Sequence, residues 1–154
     1  MATVIRNLWP EDVTNVDILS PLAILRYQAS QLRQRTRNLL EAEVESSISG
    51  AQITHRFTVI APALDRYRIV LFSVSHNELQ VYPAAFFAEW FVQQYGIMRD
   101  NWPVAASQSD FIIHTAEILK SSHTKSLIQS LIVKSNEARA PESGDPSMDE
   151  SAPQ

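Results

Sequence analysis

The chain has 154 residues, 45% of them hydrophobic and 19% charged, and it contains no cysteine. This is the composition of a globular chain that can form a core without cross-links, and it excludes disulfides, thiolate metal sites and cysteine nucleophiles. The formal charge of −4 is carried from Glu137 onward, while residues 1–136 sum to zero; a neutral body disfavours general nucleic-acid binding, where affinity comes from phosphate neutralisation.

Met1 to Pro10 holds one arginine and no apolar run of signal-sequence length. No stretch approaches the roughly 20 apolar residues of a membrane span. A cytoplasmic location away from membranes is the expectation. The first strong element is a helix. Ser20 suits its N-cap and Pro21 its first position. Leu22, Leu25, Ala29, Leu32, Thr36 and Leu39 recur at spacings of three and four, a narrow heptad-like seam. The pattern predicts a helix to about Val44, ended before Gly50.

A β region follows. Ile53, His55, Phe57, Val59 and Ala61 alternate onto one face of a strand. Arg66 to Ser75 reads as a second strand, apolar on both faces and therefore central. Ser75-His76-Asn77-Glu78 reads as a tight turn, and Leu79 to about Phe87 as a third strand limited to an edge by Pro83. A short helix is expected between Phe87 and Gly96. Ser107 and Asp110 form a capping box. They open a helix striped by Phe111, Ile112, Thr115, Ile118 and Leu119. Ser121-Ser122 interrupts it, and a second helix through Leu127, Ile128, Leu131 and Ile132 runs to about Glu137. The expected fold is α+β: an N-terminal helix, a three-stranded antiparallel meander, two C-terminal helices and a disordered acidic tail. Residues 1–137 form one domain on this reading. Residues 138–154 have too little apolar surface to offset the entropy of ordering.

Motifs for common chemistries are sparse. The glycines, Gly50, Gly96 and Gly144, are too scattered for a phosphate-cradling loop, and no G-x-S-x-G elbow exists. His55, His76, His114 and His123 include no i,i+4 pair of the kind that puts two metal ligands on one helical face. No cofactor and no metal site is expected. A helix before a meander, Asp65 near a strand start and Glu78-Leu79-Gln80 at the next strand loosely resemble the PD-(D/E)xK nucleases, with Glu41 or Glu43 as a helical acid. That resemblance would imply a metal-dependent nuclease or phosphodiesterase. The family's lysine is Gln80 here, which cannot assist an attacking water.

Two features point to a contact surface instead. Arg26, Arg33 and Arg37 are spaced by seven and four along the first helix, beside its apolar seam. Phe86, Phe87 and Trp90 belong to an aromatic cluster larger than one sheet edge readily buries. The expected function is a non-catalytic protein-interaction or regulatory module of bacterial type. Its partner would be another protein or a second copy. The nuclease, and a nucleic-acid-binding accessory protein using the arginine stripe, are the alternatives.

Overall fold

The computed structural model describes residues 3–139. Helix α1 (Pro21–Arg35) starts as its cap predicts, with the Ala23 N–H donating to Ser20 Oγ at 3.1 Å. It stops nine residues before the expected end. Thr36 Oγ1 donates to the Leu32 carbonyl at 2.8 Å and accepts the Leu40 N–H at 3.0 Å. Arg37 and Asn38 then turn the chain with φ of 53° and 68°. Two successive left-handed residues cannot continue a right-handed helix. The alternating Glu41-Ala42-Glu43-Val44-Glu45 that follows is extended.

Strand β1 (Glu41–Ser49) pairs with β2 (Gln52–Ala61) through a two-residue turn whose Gly50 has a φ of 61°. Primed hairpin turns reserve that position for residues tolerant of positive φ. A 3-10 turn (Pro62–Leu64) leads into β3 (Tyr67–Asn77), then come β4 (Ala84–Phe87), α2 (Phe91–Tyr95) and β5 (Val104–Ala105). The strands form one antiparallel sheet in the order β1-β2-β3-β4-β5. The three-strand expectation therefore undercounts: β1 lay inside the overextended helix, and β5 is too short to show a period. Ser75 to Asn77 is strand rather than turn, because Gln52 pairs with Asn77 and Ile53 with His76. Leu79 to Pro83 is loop and strand pairing starts at Ala84. Central β3 carries an extra residue, Leu71, where the register shifts beside Phe57 and Thr58. Both Leu71 and Phe72 are buried as a result.

The C-terminal helices follow the sequence. Helix α3 (Gln108–Leu119) is capped by Ser107, whose Oγ accepts the Asp110 N–H at 3.3 Å, and Asp110 Oδ2 accepts the Ala106 N–H at 3.3 Å. Helix α4 (Ser122–Arg139) includes Ala138 and Arg139, so the expected boundary at 137 falls inside it. The rest of the expected tail, 140–154, lies outside the described residues.

The core lies on the sheet face that carries Phe57, Val59, Phe72, Val74 and Phe86, packed against Leu25 of α1 and Phe111 and Ile118 of α3. The seam of α1 is spent here, with Leu25 at 0%, Thr36 at 6% and Ala29 at 7% exposure. It covers the sheet rather than waiting for a partner helix. The other sheet face is charged at its β1 edge. Arg68 reaches Glu43 at 3.3 Å and Glu45 at 3.0 Å. These exposed pairs contribute little stability, but alternate charges on an edge strand discourage pairing with other sheets. Among the described residues no helix is long and apolar enough to cross a membrane.

Candidate functional site

A groove of about 1190 Å³ runs between α1, α3 and α4 over the sheet. Each wall is a helical stripe. Helix α1 contributes Ile24, Tyr27, Gln28, Gln31, Leu32 and Arg35, at successive spacings of three, one, three, one and three. Helix α3 contributes Ile112, Thr115, Ala116 and Leu119, and α4 contributes Thr124, Lys125, Ile128 and Gln129. Residues three and four apart share a helix face, so one continuous row from each helix faces the same space. The floor is Phe57, Val59 and the bulged Leu71, all buried. Its volume exceeds the roughly 300–1,000 Å³ usual for small-molecule sites.

Two electrostatic features mark the groove. Its charged lining residues are Arg35, Lys120 and Lys125, and among the described residues no carboxylate lines it. Thr115 also faces it at 3% exposure, and Thr115 Oγ1 is buried without a hydrogen-bond partner among the described residues. A buried hydroxyl in that state costs ~1–3 kcal/mol. Thr115→Val removes the hydroxyl at constant shape and is expected to raise the urea midpoint, by an amount equivalent to about 1 kcal/mol, with unchanged m. A lowered midpoint would show that the hydroxyl is already satisfied.

The expected contact residues scatter. Arg26 is exposed on α1. Arg33 pairs with Glu41 at 2.7 Å. Arg37 lies beyond the helix end in the left-handed turn. The helical line through the three arginines does not exist past residue 35, and Glu41 neutralises its middle member. Phe86 is core, 2% exposed and stacked on Phe111 with centroids 4.9 Å apart. Phe87 faces the opposite way at 40% exposure, beside Trp102 and under the Arg99 guanidinium. Trp90 is half-buried. Its indole N–H donates to the Leu71 carbonyl at 2.8 Å and its ring stacks on His123 at 4.2 Å. With His123 it lines a second, shallower cavity of about 510 Å³, walled by glutamines and serines. The structure therefore does not assemble these six residues into one surface. Asp65 and Glu78 flank opposite ends of the eleven-residue β3, a strand roughly 35 Å long at 3.3 Å per residue. Glu41 and Glu43 are strand residues in ion pairs. The nuclease arrangement is not formed, and no group of three or more metal-ligating side chains occurs among the described residues.

A buried histidine pair crosses β2 and β3. His55 Nε2 and His76 Nε2 are 2.9 Å apart, His55 Nδ1 is 2.7 Å from Ser46 Oγ, and His76 Nδ1 is 2.9 Å from the carbonyls of Asn77 and Gln80. In the neutral pair the protons order one way. Ser46 donates to His55 Nδ1, His55 donates from Nε2 to His76 Nε2, and His76 donates from Nδ1 to the carbonyls. Burial, then the neighbouring His76 and Arg26, hold the His55 pKa down to about 4. So weak a base assists Ser46 poorly at neutral pH. The pair does predict an acid-labile fold. The unfolded chain takes up this proton near the ordinary 6.5, which the folded chain refuses until about 4. Stability should be flat above pH 7 and fall by up to about 3 kcal/mol between pH 6.5 and 4. Denaturation across that range should show the slope in the parent and a shallower one in His55→Gln. Equal slopes would refute the assignment.

Compared with protein-family models, curated proteins and solved structures, the chain matches none.

Proposed function

We propose that the chain is a non-catalytic protein-interaction module that takes an apolar, acid-bearing polypeptide segment into the groove between α1, α3 and α4. The observation that carries this reading is the lining. Helices α1 and α3 turn Ile24, Leu32, Ile112 and Leu119 toward a space floored by core residues, α4 adds Ile128, and the charges around it are Arg35, Lys120 and Lys125, with no carboxylate among the described residues. Apolar surface of this extent gains by being covered, and three cations without an ion-pair partner among the described residues select against a purely apolar or basic occupant. The glutamines Gln28, Gln31 and Gln129 supply donors and acceptors suited to peptide backbone.

A labelled sixteen-residue peptide of alternating leucine and glutamate pairs tests the reading by fluorescence anisotropy against the full-length Leu8→Asp, Trp9→Asp variant, whose exposed N-terminal segment is then too polar to compete for the groove. Binding should be saturable and one to one. No saturable binding, or binding to a scrambled basic peptide with equal strength, would refute it.

A further inference from the structure

We infer that the segment the groove takes is the N-terminal arm, residues 3–18, of a second copy of this chain, so that two copies exchange arms. This rests on the groove reading above and names its occupant. The arm precedes α1 without helix or strand. It is rich in large apolar side chains that no other described residue covers: Leu8 is 88% exposed, Ile5 86%, Val4 82%, Trp9 75% and Val16 70%. One copy thus leaves an apolar arm and an apolar groove open together, and pairing two copies covers both.

Charge fits the exchange. The arm carries Glu11, Asp12 and Asp17 against Arg6, and the groove carries Arg35, Lys120 and Lys125 with no acid among the described residues. The arm also departs from the groove's own mouth. Leu19, a lining residue, is fixed there by its N–H donating to Gln108 Oε1 at 2.9 Å and its carbonyl accepting the Tyr82 hydroxyl at 2.8 Å. Entry into the arm's own groove would need a tight reversal within Val16 to Leu19, where Asp17 is the one turn-favouring residue, whereas a neighbour's groove needs none. Reciprocal exchange gives a closed two-fold dimer. Sixteen arm residues and the groove they enter supply the ~20–30 residues per partner of a standard interface.

The test uses the full chain. It should sediment as a dimer at micromolar concentration, and the Leu8→Asp, Trp9→Asp double variant should sediment as a monomer with unchanged far-ultraviolet circular dichroism, since both side chains are exposed in a single copy. A labelled peptide of residues 3–18 should then bind that monomeric variant one to one, and Lys120→Glu with Lys125→Glu should weaken it at least tenfold. A full chain that sediments as a monomer overturns the inference, including one whose arm is protected by its own groove. So does a dimer that survives the double-aspartate change. If the leucine-glutamate peptide binds and the arm peptide does not, the arm proposal fails and the groove reading stands. If neither binds, both fail.

Discussion

Phe86→Ala is expected to cost about 4 kcal/mol of folding stability, and Phe87→Ser, one residue along, about 1 kcal/mol or less. Neighbours on a strand face opposite sides of the sheet. The β4 alternation sends Phe86 inward, where its ring lies 6.0 Å from Phe72 and 4.9 Å from Phe111 and links the sheet to α3. Truncation there opens a cavity at the join between layers. Phe87 is 40% exposed and sits beside Trp102 and Arg99 at the surface, so its truncation opens no cavity in the core. For a chain with the usual ~5–15 kcal/mol of stability, the first change approaches unfolding and the second does not. Urea denaturation decides it, and comparable losses in the two variants would contradict the assignment of faces.

The second large effect is on binding. Lys120→Glu with Lys125→Glu turns the groove's charged lining from three cations into one cation and two anions. Both lysines are exposed, so stability should change by less than about 0.5 kcal/mol. Affinity for the acidic leucine-glutamate peptide should fall by about a hundredfold at low salt, with a smaller difference at high salt, as screened interactions between partly exposed charges require. A loss independent of ionic strength would mean that the variants damaged the groove's shape.

Much of the fold is legible in the sequence because its signals are local. Ser20 and Ser107 act as the caps their positions suggest, the spacing from Phe111 to Leu119 gives α3, and alternation from Ile53 to Ala61 gives β2. The end of α1 was not legible. Its stop depends on Arg37 and Asn38 adopting positive φ, which no glycine announces, and on Thr36 tying Leu32 to Leu40. A helix carried past that stop absorbs β1 and draws a helical line through Arg37. The histidine pair was hidden for a related reason: His76 reads as a turn residue until pairing with Ile53 extends β3. The groove is tertiary, since no one helix contains it. Two signals for it were present. Tyr27, Gln28, Gln31 and Arg35 form a second row on α1 beside the seam, and the first nineteen residues hold more large apolar side chains than an unstructured segment needs.

The central claim is that the groove is where a polypeptide docks. Methyl-resolved nuclear magnetic resonance of the full-length Leu8→Asp, Trp9→Asp variant, titrated with the leucine-glutamate peptide, addresses it residue by residue. The account predicts saturable shifts at Ile24, Ile112, Leu119 and Ile128, which line the groove, with Ile48 and Ile97, exposed elsewhere on the molecule, unmoved. Shifts at Ile48 or Ile97 with the groove methyls unchanged would contradict it.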